Sequence, residues 1–457
     1  MQMNNKIILL TLFLIVLVST YHCQKIDEKG DKKNKTVIVT DIETIKNELK
    51  QVLSYDFELW YPLTIDSVYG GFFSDVNYKW ELHGRQDKMI VTQARHVWSN
   101  SNAAVFFTAN KEYLDVAEHG FQFLKNTMLD KEFGGFFNLT TREGKVIPEG
   151  REIIKHAYGN SFALYGLAAY YKSSHKKEAL DLAIKTFEWF EKYSYDSELG
   201  GYFQFISKDG KAFKDGYMGT PPKDQNTMIH ILESFTELYK VWPDKLLKDR
   251  LKSVLQIIRD KLVTPKGYVN LFFQNDWTPI IKSNQEQNYE FDHVSFGHDV
   301  EIAFLMLEAS EVLGIENDSL TLRIAKKLVD HSIKNGFDFE RGGLFDRGYY
   351  MPGDENVTII KNTKEWWAQA EALNSFLLMS KLFPNDEIDY LQKFYLQWDY
   401  IKKYLIDHKY GGWFWGGIDI EPEQSMSNKA SIWKGNYHTS RAIINCLMML
   451  SNDCNKH

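Results

Sequence analysis

A histidine and a carboxylate stand together at the start of a long apolar segment. His298 and Glu301 are three residues apart, a spacing that places two side chains on the same face of a helix. The segment 300–313 contains neither glycine nor proline and is apolar nearly all round, which predicts a buried helix. Such a pair can form an acid/base site, although a core histidine that is merely satisfied by a neighbour would look the same.

The same residue types recur along the chain, which favours a shared site. They are His230 with Glu233, Trp367 with Glu371, and His438 with Arg441, to which Arg95 adds a second positive charge. Histidine is the side chain whose ordinary pKa lies near neutrality, so it suits removal of a weakly acidic proton next to a carbonyl. A fixed arginine can stabilise the enolate oxygen that develops. The set therefore indicates proton transfer at carbon.

Two outcomes of this chemistry remain open from the residues alone. Two histidines on opposite faces of a carbon can remove a proton from one side and return it to the other, which inverts the centre. A single histidine can instead return the proton to the neighbouring carbon, which converts an aldose into a ketose.

Metal binding is the other chemistry open to histidines and carboxylates. The candidate ligands, however, come from separate stretches of the chain, and no His-Glu-x-x-His pair is present. None of the three cysteines, Cys23, Cys446 and Cys454, has the spacing of a metal ligand. We therefore predict neither a metal nor any other cofactor.

An internal repeat organises the chain from about residue 40. Glycines followed by aromatic or large apolar residues recur at intervals of 64 to 75 residues, at Gly70, Gly134, Gly200, Gly267, Gly342 and Gly411. Between the copies the pattern predicts a helix, a turn and a second helix. Six such helix pairs bury the most apolar area when they close into a ring. We therefore predict an all-α fold, an (α/α)6 barrel, with short β-hairpins in the loops at one end.

Distances counted forward from each glycine suggest where the candidate residues lie. Residues 25 to 31 positions after the six glycines are Arg95, Asn160, His230, His298, Trp367 and His438. Each lies near the start of the next predicted helix. Equivalent positions in a closed ring converge on its axis, so we expect these six side chains to line one cavity.

Composition limits the class of ligand. The chain has 457 residues, 44% of them hydrophobic and 15% aromatic, with a formal net charge of -7. This acidic balance argues against nucleic acid and against an acidic membrane surface. Tryptophans such as Trp98, Trp366, Trp367 and Trp433 suit the flat C–H faces of a sugar, although any one of them can equally pack in the core. We expect a small uncharged sugar as the ligand and a monomeric protein.

The N-terminus predicts export. Lys6 precedes an apolar segment, residues 7–18, that is too short to span a membrane comfortably. We predict an export signal over residues 1–24, a flexible tether over 25–39 and one catalytic domain over 40–457. The protein is then periplasmic or lipid-anchored at Cys23.

The motifs in order resemble one family of sugar enzymes. They are Arg95-His96-Val97-Trp98, the stretch 155–162, Asn226 to Glu233, Ser295 to Glu301, Glu365 to Glu371 and Trp433 to Arg441. Together they span nearly the whole predicted catalytic domain. They are similar to the N-acylglucosamine 2-epimerase superfamily and, within it, most similar to the cellobiose 2-epimerases.

The resemblance implies an (α/α)6 barrel and reversible C2 epimerisation of the reducing-end glucose of β-1,4-linked disaccharides. It implies that His298 and His438 are the acid/base pair, that Arg95 stabilises the enediolate, and that Glu301 and Glu371 assist ring opening. It further implies substrate-binding roles for Tyr158, Asn160, Asn226, His230, Trp366, Trp367, Trp433 and Arg441. An export signal is unusual for this family.

Four functions remain in competition. They are a disaccharide 2-epimerase, a monosaccharide enzyme of the same fold (an aldose–ketose isomerase or an N-acylglucosamine 2-epimerase), a glycoside hydrolase and a non-catalytic sugar-binding protein. Hydrolysis requires a pair of carboxyl groups flanking the bond, whereas the predicted centre is rich in histidine. A binding protein would not need three histidines at matched positions.

Overall fold

Twelve α-helices, numbered α1 to α12 in chain order, make up most of the computed structural model, which describes residues 42–108, 110–282 and 289–451. The predicted export signal, the tether and Cys23 lie outside the described residues, so export and lipid attachment stay predictions. Among the described helices, none is both long enough and apolar enough to cross a membrane.

The helices alternate between two layers. The odd-numbered helices are α1 (Ile42–Trp60), α3 (Lys111–Phe123), α5 (Lys177–Trp189), α7 (Lys245–Ile257), α9 (Ser319–Gly336) and α11 (Tyr390–Tyr400). The even-numbered helices are α2 (Ile90–Phe106), α4 (Ala157–Ser174), α6 (Gln225–Val241), α8 (Phe296–Val312), α10 (Trp366–Leu382) and α12 (Tyr437–Ser451).

The even-numbered helices form a closed inner ring. Each packs against the next, from α2 through α4, α6, α8 and α10 to α12, and α12 packs against α2. Each odd-numbered helix packs outside the ring against an even-numbered neighbour, and α1 closes the outer layer against α12. This arrangement confirms the predicted (α/α)6 barrel.

Sequence pattern explains which helix lies in which layer. The helix predicted from the apolar segment 300–313 is α8, which begins four residues earlier and is apolar on most sides. An inner helix must bury nearly its whole surface, because neighbours surround it. The outer helix α7 instead buries one stripe, with Leu247, Leu251 and Val254 inside and charged residues outside.

Short antiparallel strands join consecutive repeats at one end of the ring. They are β1 (Lys88–Met89), β2 (Leu139–Thr140), β3 (Ile154–His156), β4 (Phe205–Ser207), β5 (Lys223–Asp224), β6 (Phe272–Phe273), β7 (Val294–Ser295), β8 (Arg347–Tyr350) and β9 (Val357–Lys361). Strands β1, β3, β5 and β7 each lead directly into an inner helix and pair with β2, β4, β6 and β8, respectively; β8 also pairs with β9. These strands fix the end of the ring at which the inner helices begin.

The repeated glycines form the loops at this end. Gly70 and Gly71 have φ values of +79° and +67°, a backbone conformation that glycine adopts without strain. A Cβ atom at Gly71 would lie 2.5 Å from the Gln93 side chain. The loop therefore passes close against the first turn of α2, and a Cβ atom at Gly135 or Gly343 would likewise lie 3.0 Å from the Asn160 or Gln369 side chain.

A buried lysine–aspartate pair locks five of the six glycine loops. The pairs are Lys88–Asp66, Lys155–Asp130, Lys223–Asp196, Lys364–Asp338 and Lys429–Asp407, with Nζ–Oδ distances of 2.6 to 2.9 Å and fully buried lysines. The second carboxylate oxygen of each aspartate accepts two backbone N–H groups of its own loop, as Asp130 does from Glu132 and Phe133. The loop of Gly267 has Thr264 in place of the aspartate.

Removing one lysine of these pairs should destabilise the fold by more than the intact pair stabilises it, because a buried carboxylate then remains without its partner. We expect Lys155→Met to lower the free energy of unfolding by about 3–5 kcal/mol, measured by denaturant unfolding. Lys111→Met removes the exposed Lys111–Asp115 pair and should change the free energy of unfolding little. A small loss in Lys155→Met would show that the buried pair does not hold the loop.

Candidate active site

The inner helices present a repeated face to the ring axis. Positions two, six and nine of each helix lie on one face, because they are separated by four and three residues. In α4 these positions are Tyr158, Phe162 and Tyr165, and in α6 they are Asn226, His230 and Glu233. The two faces meet, since the Phe162 ring lies 4.6 Å from the His230 ring. These positions therefore line a common centre.

Arg441 occupies that centre. Its guanidinium contacts the carboxylates of Glu233 on α6, Glu301 on α8 and Glu371 on α10, the last at 2.7 Å. Helices α6 and α12 are three steps apart in a ring of six, so the contact between Glu233 and Arg441 crosses the axis. Arg441 and all three glutamates are at most 2% exposed. One cation thus ties four inner helices together.

Glu371 and Glu233 differ in proton affinity. Burial raises the pKa of Glu371, and the nearby Arg441 only partly opposes this. For Glu233 burial acts in the same direction, but the charge of Arg441 and a hydrogen bond with His230 outweigh it and lower the pKa to about 2. Glu233 is therefore a permanent anion, whereas Glu371 is the glutamate that more readily carries a proton.

The two histidines predicted to form an acid/base pair both lie next to one indole. The ring of Trp367 on α10 is centred 4.8 Å from that of His298 on α8 and 5.8 Å from that of His438 on α12. His438 Nδ1 lies 2.7 Å from Glu371 Oε1, and His298 Nδ1 lies 2.7 Å from Ser295 Oγ. Since both Nδ1 atoms are engaged, Nε2 is the free nitrogen of each ring.

Both imidazoles are neutral at pH 7. Burial lowers the pKa of His298 to about 4, although the Glu301 charge opposes the shift. Burial, followed by the positive charge of Arg95, lowers the pKa of His438 well below its usual range. A neutral imidazole can accept a proton, so the resting site offers two bases.

Arg95 is a cation held against aromatic rings, with hydrogen-bond donors available for a ligand. Its guanidinium lies over the rings of Phe162 and Tyr437, at 4.2 and 4.9 Å, and Nη2 donates to the Tyr158 hydroxyl at 3.4 Å. Within the described residues, the buried Arg95 Nε has no hydrogen-bond acceptor. A buried donor without an acceptor is costly, so Arg95 is suited to an oxygen of a bound ligand.

Other predicted residues also reach the centre. The Asn226 side chain hydrogen-bonds to the Tyr158 hydroxyl, and His230 Nδ1 lies 2.9 Å from Glu233 Oε2. Trp433, by contrast, lies on the turn before α12 and is 48% exposed. It is thus placed at the surface of the loop region and outside the buried cluster.

The expectation that Asn160 lines the cavity is not supported. Its side-chain amide bonds to the backbone N–H and C=O of Phe136, at 2.7 and 3.2 Å, and to the carbonyl of His156. It holds the glycine loop against α4, as Gln93 and Gln369 do in their own repeats. Counting from the glycines misplaces Asn160, because the loops between glycine and helix differ in length.

Trp366 also lies away from the centre. Its buried ring contacts Trp415, with ring centroids 4.5 Å apart, and lies 5.1 Å from the Lys434 ammonium. Of the two adjacent tryptophans, only Trp367 contacts the histidines. A helix turns about 100° per residue, so neighbours cannot share a face.

Two residues outside the predicted site belong to the centre. Tyr437 contacts both Glu233 and Arg441, the latter at 2.6 Å, and Ser295 orients His298. Glu233, which the sequence pairs with His230, contacts Arg441. No local signal marks Tyr437 or Ser295.

One group of potential metal ligands lies in the centre. Glu301, Glu371 and His438 each place one ligand atom within 4.8 Å of the others. Arg441 Nη2, however, already contacts Oε1 of both glutamates, so a guanidinium occupies the position that a cation would need. Metal-free chemistry stays a prediction.

A ring of inner helices with histidines, carboxylates and arginines clustered at its axis defines a helical barrel with a candidate acid/base site. A sequence profile of the N-acylglucosamine 2-epimerase (GlcNAc 2-epimerase) family matches residues 71–442. The chain therefore belongs to this family, and it is a carbohydrate epimerase.

Its relatives include enzymes named cellobiose 2-epimerase. The one from Bacteroides fragilis is 28% identical over 416 residues, covering 89% of this chain and 99% of the relative. The one from Ruminococcus albus is 30% identical over 403 residues, covering 86% and 96%. The solved structure of cellobiose 2-epimerase from Spirochaeta thermophila has a TM-score of 0.78 at 28% identity and covers 92% of this chain and all of its own.

The lowered histidine pKa values predict the acid limb of the pH profile. For free enzyme, kcat/KM should stay nearly constant as pH falls from 8 to about 5 and then decline, because His298 remains neutral until its pKa of about 4 is approached. An acid limb centred near 6.5, the ordinary histidine value, would contradict this assignment. The measurement is kcat/KM across pH, with stability checked at each pH.

Proposed function

We propose that this protein epimerises the reducing-end glucose of β-1,4-linked disaccharides at C2, converting cellobiose to glucosyl-mannose and lactose to epilactose. The observation that carries the proposal is the pair of neutral imidazoles, His298 and His438, which both lie next to Trp367. The choice of a disaccharide rests on the relatives named cellobiose 2-epimerase, which align with this chain over most of its length.

The ring geometry supports inversion over isomerisation. His298 and His438 begin inner helices two steps apart in a ring of six, so their side chains approach the axis from directions about a third of a turn apart. One imidazole can take the C2 proton from one face of the sugar. The other can deliver a proton to the opposite face, which inverts the centre.

The proton balance closes within one turnover. Ring opening moves the anomeric hydroxyl proton to one imidazole, and the carboxyl group of Glu371, whose pKa is raised by burial, gives a proton to the ring oxygen, with Glu301 proposed to assist. The second, still neutral imidazole then takes the C2 proton, and the C–H electron pair becomes part of the enediolate. The first imidazolium protonates C2 on the other face and becomes neutral. In ring closure the second imidazolium protonates the anomeric oxygen, and the Glu371 carboxylate takes back the proton of the former ring oxygen, so every group returns to its starting state.

Arg95 is the group proposed to hold the enediolate. Its charge acts where the oxygen becomes negative, in a buried site where such an interaction is stronger than in water. The aromatic rings of Phe162 and Tyr437 fix the guanidinium from two sides. Tyr158, Asn226 and His230 lie next to it and are proposed to bind sugar hydroxyls.

Deuterium incorporation tests the proposed reaction directly. Cellobiose incubated with the enzyme in deuterated water should yield glucosyl-mannose with deuterium at C2, observed by NMR. A ketose product would identify an isomerase, free glucose would identify a hydrolase, and unchanged cellobiose would refute the proposal. EDTA should leave the rate unchanged, because histidine and arginine need no Lewis acid here.

The paired bases are tested by the same assay. His298→Ala and His438→Ala should each lower epimerisation by at least about 10²-fold, since each removes one proton carrier. A variant that keeps one well-placed base can still exchange the C2 proton with deuterium without inversion. Near-normal epimerisation by either variant would show that the two histidines are not the acid/base pair.

Trp433 is proposed to stack on the second sugar. It lies five residues before His438 and is half exposed, so it can offer a platform beside the reacting glucose. Trp433→Ala should reduce kcat/KM for cellobiose by about tenfold and that for a monosaccharide, mannose, much less. Equal losses on both sugars would favour a monosaccharide enzyme.

A further inference from the structure

The turn that carries Trp433 is anchored from inside the barrel. Residues 431–434 form a tight turn in which Ser431 Oγ accepts the backbone N–H groups of Trp433 and Lys434, both at 3.1 Å. Trp433 points outward, whereas Lys434 is 2% exposed. The Lys434 ammonium donates to the Trp413 carbonyl at 2.8 Å. Two neighbouring side chains of one turn therefore have opposite environments.

Lys434 faces a small buried cavity together with Asp56. The cavity has a volume of about 10 Å³, and its lining includes Asp56 and Trp60 from α1, Lys429 and Lys434 from the loop, and Thr439 from α12. Asp56 is 4% exposed, and its Oδ2 has no hydrogen-bond partner among the described residues. The cavity thus joins the outer helix α1, the Trp433 turn and the first turn of α12.

The ionisable groups around the cavity form two pairs, each of one acidic and one basic residue. Lys429 is bonded to Asp407 at 2.6 Å and belongs to the repeated loop pairs. Asp56 and Lys434 are the remaining ionisable groups. Burial raises the pKa of Asp56 to about 7, and Lys434 is the strongest influence in the opposite direction. Burial, followed by the charge of Lys429, lowers the pKa of Lys434 well below its usual range, and Asp56 opposes this shift. Each of these two groups is therefore the main opposite charge near the other.

We infer that Lys434, held by Asp56 across the cavity and by the Trp413 carbonyl, is a positioning residue that sets the place of Trp433 relative to His438. Neither Lys434 nor Asp56 is proposed to contact the substrate. Asp56 and Thr439, the residue after His438, line the same cavity as Lys434, and Lys434 is the chain neighbour of Trp433. The inference rests on the proposed function, in which Trp433 binds the outer sugar.

The first test is kinetic. Lys434→Met keeps most of the packing of the lysine stem and removes its charge. It should raise KM for cellobiose about tenfold and change kcat less than twofold. Asp56→Asn should also raise KM. The rise in KM of the double variant should be smaller than the product of the two single rises, because each single variant leaves one buried charge uncompensated.

A cycle with Trp433→Ala shows whether Lys434 acts through the tryptophan. In the Trp433→Ala background, Lys434→Met should change KM less than twofold. A further tenfold rise there, an unchanged KM in the single variant, or a loss confined to kcat would each overturn the inference. Lys155→Met is the matched control, since it removes an equally buried lysine from a distant loop pair and should leave KM unchanged.

A second measurement does not depend on the substrate. Hydrogen–deuterium exchange of the segment 427–440 should be slow in the wild type and faster in Lys434→Met and Asp56→Asn, with other loops unaffected. Unchanged exchange in both would overturn the inference, and Asp56→Asn carries the test if Lys434→Met does not fold. If wild-type protein does not act on cellobiose, the proposed function fails, and this exchange measurement decides the inference alone.

Discussion

The ion cluster of Arg441 is the interaction on which the rest of the structure depends. Its guanidinium satisfies glutamates from three other inner helices. Buried charges are tolerated only when they are paired and hydrogen-bonded, so the cluster forms only if all four helices reach the axis in the correct register. The barrel therefore does more than bury apolar area, since its closure assembles a charged centre that no pair of helices can form alone.

This centre sets the properties of the acid/base residues around it. Glu371 contacts both Arg441 and His438, which fixes the orientation of the imidazole that is proposed to act at C2. The burial that the cluster requires also lowers the pKa of both histidines. Stability and chemistry thus share one set of contacts, and the catalytic bases stay neutral because the same helices exclude water.

The repeat supplies rigidity at the end of the ring where the site lies. Five loops carry a buried lysine–aspartate pair, and an amide side chain from the next inner helix holds the loop backbone in the repeats of Gln93, Asn160 and Gln369. In the fourth copy Asp299 takes this position and accepts the Val269 N–H. Burial raises the pKa of Asp299 well above its usual range, and its Oδ2 has no hydrogen-bond partner among the described residues, whereas the amides of the other copies also donate to a loop carbonyl.

The sequence by itself determined the six-fold repeat, the barrel and the presence of histidines near the helix starts. These features are local: glycine spacing, helical periodicity and motifs such as the stretch 295–301 are visible without the fold. Membership of the epimerase family follows from the same motifs in order. The order of these motifs along the chain is sufficient for this assignment, because each repeat places its motif at the same end of the ring.

Only the tertiary structure decided which side chains face the axis. The loops differ in length, so equal distances from the glycines correspond to different helix positions, and Asn160 and Trp366 turn away while Tyr437 and Glu233 turn inward. A shift of one residue rotates a side chain by about 100°, and this rotation decides whether the side chain lines the site or packs in the core. The three glutamate partners of Arg441 come from other repeats, and ring closure brings them together.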